Sequence, residues 1–416
     1  MDKLEIKEIV LDQYKIKLEE NMIEREIFPK LESYINNKFI IIISGLRRSG
    51  KSTLLQQLRK KYDGYYLNFD DERLVNFKLE DFQHLYEIFI ELFGEKNIFY
   101  FDEIQNIIEW ERFIRRLHDN RKKIIISGSN ASMLSKELGT HLTGRYLEIR
   151  LFPFSYKEFL RLFNREINVK FISLTENKAN LKRDFNEYLL KGGLPEYLKT
   201  DNVEYLKILY ENILYKDIIV RYKLPNERVL KELVNYIAAN IAKEISYNSI
   251  KNLLQIGSAT SVKDYFNYFE NTYLIFLLPC FNYSLKKQIY LSKKVYLIDN
   301  ALIINLGFRL SRDGGRLLEN LVFIELKRKN KELYFFKEKN ECDFVIKEQN
   351  KITQAIQVCY DLNEENKKRE LNGLLEALER FKLKKGIILT YDNEEEMKIG
   401  NKKINIKPIW KWLLED

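Results

Sequence analysis

Between residues 39 and 155, short apolar runs alternate with longer stretches whose apolar positions recur at helical spacing. The runs are Phe39-Ile40-Ile41-Ile42-Ile43, Gly64-Tyr65-Tyr66-Leu67-Asn68-Phe69, Ile98-Phe99-Tyr100-Phe101, Lys123-Ile124-Ile125-Ile126 and Tyr146-Leu147-Glu148-Ile149-Arg150-Leu151. Apolar runs of this kind predict strands buried on both faces, and their alternation with helical segments predicts a parallel sheet covered by helices on both sides. Residues 1–35 predict helices, with Ile23, Ile27, Leu31 and Ile35 near helical spacing. Residues 155–245 read as mostly helical, interrupted by Lys191-Gly192-Gly193-Leu194-Pro195-Glu196. A glycine pair followed by proline breaks helices, and this segment, like Asp217-Ile218-Ile219-Val220-Arg221-Tyr222, reads as a turn or packing element.

Further on, the pattern predicts a helix over 227–243, a short strand over 245–247, a helix over 248–255, a turn at Gly257 and a third helix over 260–273. Strands over 274–281 and 288–297 complete the order of a winged helix. The last region begins with a helix over 315–326. Strands over 333–336, 343–347 and 353–358, a helix over 366–380, a strand over 386–390 and a closing segment over 404–414 follow. The predicted fold class is α/β, in four domains. A P-loop NTPase parallel sheet with N-terminal helices occupies 1–155, a helical lid 156–226, a winged helix 227–297, and an α/β tail with the α-β-β-β-α-β order of a restriction-endonuclease-like core 298–416.

The loop after the first strand reads Gly45-Leu46-Arg47-Arg48-Ser49-Gly50-Lys51-Ser52-Thr53 and fits G-x-x-x-x-G-K-[ST]. It lies between a strand and a helix, the context this motif requires. Its glycines let the backbone curl until several N–H groups and a helix N-terminus point at one anion. Gly45, Arg47, Arg48, Ser49, Gly50, Lys51, Ser52 and Thr53 are therefore candidate nucleotide-binding residues. Lys51 would reach the β- and γ-phosphates, and the Ser52 hydroxyl would bind Mg²⁺.

The run at 98–101 ends in Asp102-Glu103. Asp102 is the second candidate Mg²⁺ residue. Glu103 is positioned to orient and polarise an attacking water, which suits hydrolysis. The alternative is a buried strand ending in two solvated acids. The run at 123–126 leads into Ser127-Gly128-Ser129-Asn130. Strand ends face the ligand crevice in such sheets, so Ser129 or Asn130 is a candidate for contacting the γ-phosphate or the water. Capping a helix over 131–138 is a second, compatible role.

The chain has 416 residues, 45% of them apolar and 31% charged, an ordinary globular composition. Its net charge of +9 permits binding to nucleic acid or another acidic surface. In the winged-helix reading the third helix enters the major groove. The candidate contacts are Ser258, Thr260, Ser261, Lys263 and Asn267, with Lys286, Lys287, Lys293 and Lys294 around the wing. The alternative is a winged helix that only packs against other domains. Cys280, Cys342 and Cys359 lack paired spacing, and His84, His118 and His141 are too scattered for a local metal motif. No apolar stretch approaches the roughly 18 residues of a membrane helix, so no membrane association and a cytoplasmic location are expected.

Taken together, the motifs resemble an archaeal and bacterial family of AAA-type ATPases whose C-terminal region has a nuclease-like core of unknown function. The residues that carry the resemblance are the arginine-rich phosphate loop, Phe101-Asp102-Glu103-Ile104-Gln105 and Ser127-Gly128-Ser129-Asn130. Gly144-Arg145, Leu151-Phe152-Pro153-Phe154-Ser155-Tyr156-Lys157-Glu158-Phe159, Gly192-Gly193-Leu194-Pro195-Glu196 and Leu318-Glu319-Asn320-Leu321-Val322-Phe323 complete the set. The resemblance implies an ATPase module, a helical lid, a winged helix and a nuclease-like tail. Arg145 could then stabilise charge on the transferring phosphoryl group, within one chain or from a neighbouring copy, or form a structural ion pair. An active nuclease core needs a helix acid, an Asp, and then [DE]-x-Lys. Glu319 and Asp343 fit the first two positions, but Gln357-Val358-Cys359 departs from the third, so a catalytically dead or weak tail is expected.

The expected function is Mg²⁺-dependent ATP hydrolysis that couples nucleotide state to domain motion, with duplex DNA as the partner. The other reading is a nucleotide-switched signalling or assembly ATPase without nucleic acid. A homo-oligomer is compatible with both.

Overall fold

The computed structural model describes residues 1–16, 22–131, 142–165, 174–307 and 314–415. They form two compact units. One comprises Met1–Phe152 and Asn271–Tyr273, the other Pro153–Glu270 and Leu274–Asp416.

The first unit is built on five strands: β1 (Ile40–Ser44), β2 (Tyr65–Asn68), β3 (Ile98–Asp102), β4 (Lys123–Gly128) and β5 (Tyr146–Arg150). They form an all-parallel sheet in the order β2-β3-β4-β1-β5, with Ile41 beside Ile125 and Ile40 beside Tyr146. Because side chains alternate across a strand, each apolar run feeds two cores. Ile40, Ile42, Leu67, Phe99 and Phe101 pack with Ile6, Val10, Phe82 and Trp110 on one face. Ile41, Ile43, Tyr66, Tyr100 and Ile125 pack with Leu31, Leu54 and Leu58 on the other. The leading helix Lys3–Lys15 starts at Asp2, where Glu5 completes a capping box.

The second unit opens with the helices Tyr156–Leu162, Thr175–Lys191, Pro195–Thr200 and Val203–Asn212, then a π-helical stretch, Ile213–Val220, and the helix Glu227–Ala239. The glycine pair that breaks the second of these is a place of close approach. Gly192 has φ of +65°, and a Cβ there would lie 1.9 Å from Asp299 Oδ1; at Gly193 it would lie 2.1 Å from the Phe154 carbonyl oxygen. The Asp299 carboxylate accepts from Gly193 N at 2.7 Å and Ala301 N at 2.9 Å.

A small antiparallel sheet follows, made of β6 (Glu244–Ile245), β7 (Ile275–Pro279) and β8 (Lys293–Leu297) in the order β6-β8-β7, with the helices Tyr247–Leu253 and Ala259–Asn271. The strand expected over 288–297 is a correction. Leu285–Tyr290 is helical, and β8 begins at Lys293. Ser284 caps that helix by accepting from Lys287 N, and Leu285 and Ile289 recur at helical rather than strand spacing.

The tail sheet has six strands: β9 (Glu332–Lys337), β10 (Glu341–Glu348), β11 (Lys351–Val358), β12 (Lys385–Thr390), β13 (Glu395–Ile399) and β14 (Lys402–Pro408). Their order is β13-β14-β12-β11-β10-β9, parallel where β12 meets β11 and β14 and antiparallel elsewhere. The helices Gly314–Arg328 and Glu364–Arg380 supply the rest of the expected α-β-β-β-α-β order. The closing segment 404–414 divides at Pro408 into the end of β14 and the helix Ile409–Leu414.

Candidate active site

The sheet order inserts β4 between β1 and β3, so three chain segments converge at the carboxyl ends of adjacent parallel strands. These are the loop after β1, the polar end of β4 and the acids ending β3. Gly45 has φ of +150°, and a Cβ there would lie 2.3 Å from the Leu151 carbonyl oxygen. Gly50, with φ of +96°, is the N-cap of the helix Lys51–Lys61 and makes no side-chain cap hydrogen bond. The first-turn N–H groups are thereby left available to an anion. Ser52 and Thr53 are exposed in that turn, and the buried Ser49 Oγ has no hydrogen-bond partner among the described residues. Arg47 pairs with Asp70 at 3.4 Å, and Arg48 is exposed with φ of +64°.

Lys51 is almost fully buried. Its Nζ donates to the carbonyls of Gly45 at 3.2 Å and Leu46 at 3.1 Å and pairs with Glu103 Oε1 at 3.3 Å. Glu103 follows β3 in a left-handed conformation, φ 49° and ψ 41°. Its Oε2 accepts from Ser129 N at 3.1 Å and Ser129 Oγ at 3.0 Å, and also from Gln105 Nε2. Burial alone would raise its pKa, but the Lys51 charge, followed by the Gln105 hydrogen bond, Arg47 and Ser129, holds it down at about 2. Asp102 is fully buried and accepts from Ser127 Oγ and from the Tyr66 hydroxyl at 3.2 Å. Burial and the adjacent Glu103 raise its pKa, while hydrogen bonds from Ser127 and Ser52 and the Lys51 charge oppose the rise. Ser52, the other predicted Mg²⁺ residue, lies close enough to Asp102 to help hold its pKa down. Asn130 is buried at the end of β4; most of the helix expected over 131–138 lies outside the described residues.

Arg145 is the exception. Its carbonyl accepts from Ile40 N at 2.9 Å, at the start of β1, and its Nη1 pairs with Asp119 at 2.7 Å. The phosphate loop leaves the opposite end of β1, on the order of 13 Å away at ~3.3 Å per residue. Arg145 therefore stands apart from its own chain's loop, in the ion-pair arrangement.

Two groups at this site escaped the sequence reading. Arg25, 4% exposed, donates from Nη1 to the Ser49 carbonyl at 2.9 Å and from Nη2 to the Phe152 carbonyl at 2.6 Å, bracing the loop from behind. Ser44 Oγ, one residue before the loop, donates to Glu148 at 2.6 Å, and the Tyr273 hydroxyl reaches the same carboxylate oxygen at 3.4 Å. A serine ending an all-isoleucine strand was a usable signal. Arg25 has no spacing or periodicity to mark it.

A family profile described as an AAA domain matches residues 37–160, and two described as domains of unknown function match 182–313 and 314–412. An uncharacterized protein of Methanocaldococcus jannaschii is 40% identical over 434 residues, covering 99% of this chain and 96% of that one. The chain belongs to this family of AAA-type P-loop ATPases. An uncharacterized protein of Haemophilus influenzae is 29% identical, covering 95% of this chain and 99% of the relative. Among solved structures, a STAND signal-transduction ATPase with a tetratricopeptide-repeat sensor from Pyrococcus horikoshii is 17% identical with a TM-score of 0.28, covering 75% of this chain and 46% of that one. AMPPCP-bound DnaA from Aquifex aeolicus is 18% identical with a TM-score of 0.25, covering 59% and 86%.

The AAA-type chain has a second acid centre in its tail. Glu319, on the helix Gly314–Arg328, and Asp343, on β10, come together as expected. Gln357 donates to Glu370 at 2.8 Å and accepts from Asp343 N at 3.3 Å, and Cys359 is buried. Between the acids lies Lys294, which a DNA-binding wing would have exposed. It is 2% exposed and pairs with Glu319 at 3.0 Å, Glu341 at 2.7 Å and Asp343 at 2.9 Å, so it is removed from the candidate DNA contacts. Of the remaining candidates, Thr260, Lys263, Asn267, Lys286 and Lys287 are exposed, Lys293 is half-buried, and Ser258 and Ser261 are half-buried and bonded to each other at 3.0 Å. No helix among the described residues is long and apolar enough to cross a membrane.

Proposed function

We propose that this AAA-type ATPase hydrolyses ATP with Mg²⁺ and couples turnover to movement of its lid, winged-helix and tail regions on duplex DNA. The observation that carries the hydrolytic part is the Lys51–Glu103 pair, flanked by Ser129 on the far side of the carboxylate. Phosphate oxygens compete with Glu103 for the Lys51 ammonium. Once Lys51 turns to them, Glu103 keeps its Ser129 contact and gains a free oxygen with which to orient a water. The Ser52 hydroxyl and the Asp102 carboxylate are hard oxygen donors suited to Mg²⁺. Ser52 and Asp102 would hold the ion, and it would supply positive charge to neutralise the charge that develops in phosphoryl transfer. The helix N-terminus after Gly50, which has no side-chain cap hydrogen bond, and the Ser49 hydroxyl, which has no hydrogen-bond partner among the described residues, favour an anion in the loop.

The DNA part rests on Thr260, Lys263 and Asn267, spaced to share a face of the helix Ala259–Asn271, on exposed Lys286 and Lys287, and on the net charge of +9. ATP hydrolysis by wild type and Glu103→Gln, with and without duplex DNA at low and high salt, tests both parts. Glu103-dependent turnover that DNA stimulates, with stimulation fading at high salt, is the expected result. Turnover unaffected by Glu103→Gln would reject the assigned role. Glu103-dependent turnover indifferent to DNA, with nucleotide-dependent oligomerisation, would identify a switch or assembly ATPase.

A further inference from the structure

The tail's acid centre is closed by a cation that comes from outside the tail sheet. β8, in the small antiparallel sheet, brings in Lys294, whose side chain is 2% exposed. Its ammonium has three protons and three carboxylate partners, Glu319, Glu341 and Asp343, at 2.7 to 3.0 Å. The outer contacts complete the enclosure. The Tyr296 hydroxyl donates to Glu319 at 2.7 Å, and Val358 N donates to the second oxygen of Asp343 at 2.9 Å. Among the described residues no group of three or more His, Cys, Asp or Glu side chains is arranged to hold a metal ion. A metal does not fit this centre as built. Mg²⁺ requires near-octahedral oxygens at about 2.0–2.1 Å, whereas these carboxylates are spread at hydrogen-bonding distance around a nitrogen.

We propose that Lys294 is a built-in counter-ion that occupies the place of a divalent metal among Glu319, Glu341 and Asp343, locking the β6–β8 sheet to the tail and closing the centre to metal-dependent phosphodiester chemistry. Gln357, a neutral side chain where a metal centre would use a third acid, makes the centre a poor metal ligand set, and the lysine makes the closure complete. Because the ammonium is tethered on a neighbouring strand, it competes intramolecularly with any ion from solution. Removing it leaves three clustered carboxylates with no counter-charge, which is a divalent-cation site.

The test is Mn²⁺ binding to the full chain without nucleotide, read by electron paramagnetic resonance, for wild type, Lys294→Ala and Lys294→Ala/Asp343→Asn. Lys294→Ala should gain one Mn²⁺ site at least about tenfold tighter than any in wild type, and the second substitution should remove it. Melting temperature provides a second readout, with Mn²⁺ raising that of Lys294→Ala and leaving wild type unchanged. Mn²⁺ bound by wild type and lost in Asp343→Asn would overturn the proposal. So would a Lys294→Ala chain that folds without gaining Mn²⁺, or one that fails to fold whether or not Mn²⁺ is present. None of these outcomes depends on ATP hydrolysis.

Discussion

The chain contains two centres in which a buried lysine faces carboxylates, and they differ in how the lysine is held. Lys51 stands on the first turn of a helix at the end of a glycine-rich loop, with one carboxylate and two carbonyls as partners. Lys294 is the second residue of β8 and faces three carboxylates. At Lys51 an incoming anion can replace the partners singly. At Lys294 every ammonium proton has a carboxylate acceptor, and burial, which alone would lower its pKa, is outweighed by Asp343 and Glu319, so the group stays charged. On the proposed reading, the same pair of residue types serves as an exchangeable contact in one unit and a fixed joint in the other. The number of partners and the stiffness of the supporting element decide which.

The largest expected effect comes from removing the exchangeable lysine. Lys51→Ala should reduce ATP turnover by about 10²–10³-fold or more, since it deletes the cation for the transferring group; near-normal kcat/KM would break the comparison at its first term. Glu103→Gln sharpens it. Turnover should fall by about 10²–10⁴-fold, but nucleotide should bind as well as to wild type or tighter, because the competing ion pair is gone. Isothermal titration checks this, and weaker binding would mean that Glu103 does not compete for Lys51.

At the fixed joint the readout is stability. Asp343→Ala leaves Lys294 with a buried, partly unmatched charge and should cost about 3–5 kcal/mol, measured by denaturant unfolding. A loss no larger than the roughly 0.5 kcal/mol of an ordinary surface substitution would erase the distinction between the two centres.

The smallest effect concerns a buried carboxylate with no lysine. Asp299 is held by two backbone N–H groups, and burial pushes its pKa to about 7 against those hydrogen bonds and the more distant Arg328. Its folded pKa lies above its unfolded one, so the protonated form is favoured by folding. Stability should be greatest at low pH within this window and fall, by on the order of 1 kcal/mol per unit, as pH rises from about 5 to 7. Glu319, raised to about 7 chiefly by burial and Asp343, adds a slope of the same sign. Asp299→Asn should therefore flatten the profile in part, and an unchanged slope would remove Asp299 from the account.

The sequence disclosed what is local. A strand buried on both faces needs an unbroken apolar run, and a phosphate loop needs its glycines at fixed offsets, so β1 to β5 and the placing of Lys51, Ser52, Asp102 and Glu103 at the strand ends could be read directly. Contacts that close through long loops left no such trace. Arg25 reaches Phe152 across more than a hundred residues, and Lys294 looks like any wing lysine until β8 is placed beside the helix Gly314–Arg328. For Arg145 the sequence left a phosphate role and an ion pair both open, and the parallel course of β1 and β5 carries it to the far end of the sheet from its own chain's loop, where it pairs with Asp119. The helix Leu285–Tyr290 was mistaken for a strand because it contributes no buried residue to mark its period.

The three residues Asn271–Tyr273 belong to the ATPase unit although the chain on either side of them does not. A fragment ending at Phe152 would keep every nucleotide-binding motif and still leave Ser44 and Glu148 without the Tyr273 hydroxyl. The ATPase unit is thus stitched at a second point more than a hundred residues downstream, and recombination at a single junction could not transplant it whole. Inheritance as one uninterrupted cassette is the natural outcome of such a seam, in keeping with relatives that align along nearly their entire length.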